Sequence, residues 1–205
     1  MERHGACDDS ALPARDIGGA RQLFLDQSLI DTLSGARLTM HAPARTGGPL
    51  VAPDGDVDGH EAQIGLYSSV LREGGITRLW YYLRRVHDDP TQWCVCYAES
   101  EDGIDFRKPN LRSSPVPGGG IRNAVLSEPW LQGCAVWVDP HAPPALRYRT
   151  QAKGERGDLI FHASPDGLFW TETHRVAIGP CDTQNIVLWD GRVARYVLYT
   201  RAWEE

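Results

Sequence analysis

Apolar and polar residues alternate in short runs along most of the chain, and a helical period is almost absent. Such a two-residue period predicts half-buried β-strands separated by turns. Residues 1–20 read as a polar leader. Short strands are expected at 22–26 and 37–41, followed by a Pro/Gly/Asp-rich loop over 43–59. Strands at 64–71 and 76–85 flank the turn at 72–75, and further strands follow at 92–98 and 104–106. After a second Pro/Gly loop the pattern returns at 133–138, 146–152, 158–163 and 168–171, and again at 185–189 and 193–201.

Two elements recur. Ser100-Glu101-Asp102-Gly103 and Ser164-Pro165-Asp166-Gly167 are 64 residues apart, and each lies between a strand and an aromatic residue, Phe106 or Trp170. The segments 135–139 and 186–190 are 51 apart, and each precedes an Arg-Tyr pair, Arg147-Tyr148 or Arg195-Tyr196. Repetition of a four-stranded antiparallel unit that cannot bury both faces alone predicts radial stacking of sheets, the β-propeller solution. A unit of this length gives about two full blades and partial ones, so the expected fold is all-β, an incomplete propeller over 21–205; a small β-sandwich is the alternative. In the Ser-x-Asp-Gly element the Asp-Gly pair suits a turn with positive φ and the Ser and Asp side chains suit backbone capping, a structural role.

Composition narrows the function. A net charge of −6 argues against nucleic acid or an anionic membrane surface as partner. Gly (21) and Pro (14) are enriched over an average near roughly 12%, as a turn-rich chain requires. No secretory apolar segment is legible at the N-terminus, which favours the cytoplasm. The five cysteines form no disulfide framework; Cys94 and Cys96, alternating in a strand, are expected on one face as buried thiols. The seven histidines show no metal-ligand spacing, so no metal or other cofactor is expected.

With the repeat in place, the sequence resembles the five-bladed β-propeller glycoside hydrolases, the broad group of families 32 and 43. The resemblance is carried by residues 22–27, 67–71 before 79–82, 98–104, 138–141, 164–167, and 182–185 before 187–190, and covers about residues 20–203. It implies carbohydrate as substrate or ligand, and a pair of carboxylates at the first strands of different blades. One attacks or activates water while the other protonates the leaving oxygen. Asp182 is the first candidate, with Glu61 and Asp26 as possible second carboxylates. His60, Gln184, Asn185, Arg149 and Arg201 are the candidate sugar-binding residues. Asn123 and Glu128 flank what reads as the first strand of the second blade. Asp139 and Asp190 recur in turns and are assigned to structure. A non-catalytic carbohydrate-binding propeller, or a module that recruits another chain at an open blade edge, are the alternative functions.

Overall fold

The structure, a computed structural model, describes residues 16–45, 47–58, 62–85, 93–111, 115–116, 120–179 and 181–201. The chain divides into two units, Met1–Gly47 and Gly48–Glu205.

In the first unit the described residues form turns and extended chain without strands. The strands expected at 22–26 and 37–41 are absent. A strand requires a neighbour for its N–H and C=O groups, and the backbone bonds here close local turns instead, Ala20 N to Ile17 O and Ile30 N to Gln27 O. Leu25 and Met40 are accordingly solvent-exposed.

The second unit is all-β and antiparallel. One sheet is built from β1 (Ala62–Glu73), β2 (Ile76–Arg85), β3 (Cys94–Ser100) and β4 (Ala124–Ser127), in that order. A second contains β5 (Trp137–Val138), β6 (Tyr148–Lys153), β7 (Leu159–Ser164) and β8 (Thr171–Val176), again in chain order. The hairpin of β9 (Ile186–Asp190) and β10 (Arg195–Tyr199) stands as a two-stranded sheet. The helical turn at Pro144–Leu146 is the only one among the described residues. No described helix is long and apolar enough to cross a membrane. Among the described residues the sheets form no closed ring.

Three expected strands change place. Residues 104–106 do not form a strand, because Asp102 Oδ1 captures the N–H groups of Ile104 and Asp105 at 2.8 Å each and folds them into the turn. Chain pairing resumes only as a single bridge, Glu99 to Arg107. The edge this leaves beside β3 is filled by β4, paired to Cys94–Cys96. The segment after Asn123 is therefore the outer strand of the first sheet, not the first strand of the second. Over 133–138 only Trp137 and Val138 keep ladder pairing, since Ser69 intercepts Val136 N at 2.8 Å.

Strand alternation explains the core. Trp80 and Tyr82 point to one face of the first sheet, Tyr81 and Leu83 to the other, and both faces are buried. The first cluster, with Tyr97, Leu131, Val136, Tyr148 and Ala152, fills the space between the two four-stranded sheets. The second, with Cys94, Cys96, Ala98, Ile121 and Ala124, backs the first sheet. Each large side chain so buried contributes roughly 1.5–3 kcal/mol. Cys94 and Cys96 do share one face, their sulfurs 3.7 Å apart, and with Cys134 and Cys181 they are buried and unpaired in any disulfide.

Candidate functional site

The two Ser-x-Asp-Gly elements fold identically. In each, the serine hydroxyl bonds the aspartate (2.8 and 3.0 Å) and accepts the glycine N–H (2.9 Å in both). The aspartate Oδ1 then accepts two further N–H groups, those of Ile104 and Asp105 or of Leu168 and Phe169. Gly103 and Gly167 have φ of +79° and +80°, a conformation that side chains disfavour. Asp102, held by these donors, is lowered to about 2. The structural assignment of the repeat is thus explained by its hydrogen bonds.

The second copy also joins the sheets. Trp80 Nε1 donates to Gly167 O at 2.7 Å, and Arg78 Nη1 donates to Asp166 O at 3.0 Å and to Tyr148 OH at 3.1 Å. The Tyr148 hydroxyl donates to Glu73 at the end of β1, and Arg147 pairs with the same carboxylate. Glu73 is held below its usual range, chiefly by the tyrosine hydroxyl.

The middle of β1 lies beside the segments that lead into β5 and β9. A register shift between Gly65 and Ser69 lifts Tyr67 out of the β1–β2 ladder. Cys134 N donates to Tyr67 O at 3.4 Å, and Cys134 O accepts from Ser69 Oγ (3.2 Å) and from Gln184 Nε2 (2.8 Å). One peptide of the middle segment therefore ties β1 to the segment leading into β9. Gly133 permits the approach, since a Cβ there would fall 2.3 Å from Tyr67 Cβ.

Asp182 lies in this array, only 7% exposed. Its Oδ1 accepts Thr183 N at 2.8 Å, its Oδ2 accepts from Arg201 Nη2, and its own N–H bonds Arg201 O at 2.8 Å. Its carboxyl is held below the usual range, first by the Arg201 guanidinium, with burial opposing and the Thr183 N–H assisting. Asn185 spends its amide on Asp182 O (2.8 Å) and Thr200 Oγ1 (2.6 Å). Gln184 holds Cys134. These amides thus shape the backbone around Asp182. Next to Tyr67, a hollow of about 240 Å³ is lined by Gln63, Ile64, Gly65, Tyr67, Tyr82 and Arg84.

No protein-family model and no curated protein matches the chain.

The other candidates are distributed as follows. Arg149 lies in a cleft of about 270 Å³ between the second sheet and the β9–β10 hairpin, its Nε 3.4 Å from Asp139 Oδ2. Asp139, 6% exposed, also accepts the Tyr196 hydroxyl at 3.0 Å. Asp190 caps the hairpin turn and binds Arg192. Asp26 belongs to the first unit, where it accepts Ser28 N at 2.8 Å in an exposed turn. His60 and Glu61 lie outside the described residues, immediately before β1. Asn123 is fully buried and donates to Tyr81 OH (2.6 Å) and Tyr97 O (3.0 Å). Glu128 meets His162 Nε2 at 2.9 Å. The array thus brings together Asp182, Gln184, Asn185 and Arg201. Sequence reasoning missed Tyr67 and Ser69, whose displaced register no local pattern announces. It also missed the buried Asp58–Lys108 pair, which joins positions 50 residues apart.

Proposed function

We propose that this chain is a glycoside hydrolase-like protein, part of a β-propeller, that engages carbohydrate where the first strands converge. The observation that carries the reading is the Tyr67–Cys134–Gln184 linkage. It draws the middle of β1 together with the segments leading into β5 and β9, as a propeller channel would require, and it sets the ionised carboxylate of Asp182 among them. Tyr67 and Tyr82, with Gln63 and Arg84, offer the aromatic walls and the hydrogen-bonding groups that a sugar ring needs.

In this reading Asp182 serves as the charged partner, the base or nucleophile. A carboxylate held below its usual range by a guanidinium cannot be the general acid near neutral pH. The acid is assigned to Glu61, two positions in sequence before Gln63 of the Tyr67 hollow. A panel of chromogenic glycosides tests the proposal. Turnover that disappears in Asp182→Asn and in Glu61→Gln supports it, whereas turnover unchanged in Asp182→Asn removes the assignment.

A second reading is non-catalytic carbohydrate binding. It is favoured by one observation: both Asp182 oxygens already have protein donors, Thr183 N and Arg201. It predicts saturable sugar binding, read by tryptophan fluorescence, without product.

A further inference from the structure

Trp80 and Trp93 are buried in the core, whereas Trp130 is 41% exposed, the only exposed tryptophan among the described residues. Its backbone is unusual as well. Glu128, Pro129, Trp130 and Leu131 form a turn closed by a bond from Leu131 N to Glu128 O at 3.1 Å. Pro129 presets the second position of that turn. Trp130 takes the third with a φ of +65°, where glycine is at ease and a bulky side chain is strained. The turn is anchored on both sides of the ring. Glu128 Oε1 lies 2.9 Å from Nε2 of the buried His162, Leu131 is fully buried, and Gly133 lies against Tyr67. The fold thus holds a large ring at a position that glycine would fill without strain, and leaves much of it in water. Core packing does not account for such a residue, and strained positions of this kind cluster where ligands are held.

Strand register shows what the ring lies beside. Gly65 pairs with Tyr82, Leu83 with Cys94, and Cys94 with Ser127. Gln63 to Gly65, Tyr82 to Arg84, Trp93 and the turn after Ser127 therefore share one end of the first sheet. The Tyr67 hollow is at this end. A file of rings leads from it to the turn: Tyr82 and Trp93 have centroids 6.2 Å apart, and so do Trp93 and Trp130, edge to face in both pairs. At about 240 Å³ the hollow is smaller than the roughly 300–1,000 Å³ of a site for a drug-sized ligand, which is room for one sugar ring. A longer ligand must leave it, and Trp130 offers an exposed aromatic surface beside it.

We propose that Trp130 is the platform of a second sugar subsite beside the Tyr67 hollow, so that the carbohydrate engaged here is an oligosaccharide of two or more units. The inference rests on the carbohydrate reading and deepens it. One unit occupies the hollow, and the next lays its apolar C–H face on the indole, with its hydroxyls directed outward into water. The strained turn fixes the ring before the sugar arrives, so little ordering is left to be done on binding.

The test is calorimetric titration of the full chain with matched pairs: methyl β-glucoside and cellobiose, methyl β-galactoside and galactobiose, methyl β-xyloside and xylobiose. In at least one pair the disaccharide binds about fivefold to tenfold more tightly than the monosaccharide, the effect of one added aromatic contact. Trp130→Gly suits the turn; verified as folded by circular dichroism, it reduces that advantage to within about twofold and leaves monosaccharide affinity unchanged. Trp130→Phe, which keeps a ring, keeps most of the advantage. The inference alone is overturned if the two sugars of every pair bind equally to the parent protein, or if Trp130→Gly retains the advantage. It is also overturned if Trp130→Gly weakens both sugars alike, since the ring then supports the hollow and touches no second unit. A concentration-dependent dimer that Trp130→Gly abolishes in sedimentation overturns it too, because the ring then faces a second copy. Absence of saturable binding by every sugar of the panel overturns the carbohydrate reading itself, and the inference falls with it.

Discussion

Trp80 donates its indole N–H to the carbonyl of Gly167, 87 residues further along the chain, at 2.7 Å. The bond ties the middle of β2 to a turn in the next sheet, and Gly167 fits under the ring because it has no side chain. A Cβ there would fall 2.6 Å from Trp80 Cζ2. Trp80→Phe keeps the ring packing but strands a buried carbonyl, at an expected cost of about 1–3 kcal/mol. The paired glycine variants separate backbone strain from contact. Both glycines have φ near +80°, so Gly103→Ala and Gly167→Ala share a strain of about 1–2 kcal/mol. Only Gly167→Ala also meets Trp80; the nearest atom for Gly103 is Thr77 Oγ1 at 3.6 Å. Urea denaturation should therefore show Gly167→Ala clearly less stable than Gly103→Ala. Equal losses would deny that the turn holds the sheets together.

Lys108 and Asp58 form a buried ion pair behind the first sheet. Asp58 is 0% exposed and also accepts the Tyr81 hydroxyl at 2.7 Å, while Lys108 Nζ reaches Ala52 O at 2.6 Å. Burial and the neighbouring carboxylate together push the Tyr81 phenol far up. Lys108→Met fills the same space but leaves the carboxylate uncompensated, and breaking such a pair costs about 3–5 kcal/mol. Asp58→Asn in the same chain should recover part of that loss, because the unpaired charge is then gone. Chemical denaturation of the single and double variants measures the coupling.

Alternation and turn chemistry made the all-β class, most strand positions and the capping of the Ser-x-Asp-Gly turns legible, because these depend on neighbours in sequence. The misplaced elements depend on distant partners. Residues 22–26 alternate as a strand should, yet among the described residues they pair with no strand. Ile104 and Phe106 look like strand residues, but Asp102 turns their backbone aside. Asn185 was legible as a polar residue beside Asp182, but not as one whose amide is used within the fold. Asp182 does precede a strand, β9, as the alternation predicts; its clamp by Arg201, 19 residues later, follows from β9–β10 pairing that brings the two ends of the hairpin together. Arg149 reads as a ligand residue from sequence, but its Nε lies 3.4 Å from Asp139 Oδ2, a partner ten residues earlier that the β5–β6 pairing brings alongside.

Gly133 has φ of +98° and lies against Tyr67. Gly133→Ala cannot be accommodated by rotating the tyrosine, since the close atom is its Cβ at 2.3 Å. The first strands must separate there, weakening the bonds of Cys134 to Tyr67 and Ser69. If carbohydrate binds beside Tyr67 as proposed, sugar affinity falls by more than stability does, read by titration beside thermal melting. Affinity unchanged in a folded Gly133→Ala protein would place the sugar elsewhere.

Arg201 sets the ionisation of Asp182. The folded carboxyl lies below its ordinary value of 3.8, so the ion pair contributes stability that is present above about pH 4. That contribution is lost as the pH falls through the lowered folded value. In Arg201→Met the main cause of the lowering is gone, and burial, which favours the neutral acid, opposes the remaining Thr183 N–H. The folded value of Asp182 must rise. If Asp182 acts as a charged group, the acid limb of the pH profile for turnover or sugar binding should then move to higher pH. In the catalytic reading, Asp182→Asn abolishes turnover across the whole range. Melting temperature against pH supplies the structural control: the acid destabilisation of the parent protein below about pH 4 should flatten in Asp182→Asn, which has no charge to lose. An acid limb that stays in place in Arg201→Met, while the melting profile shifts, would assign Asp182 to the fold alone.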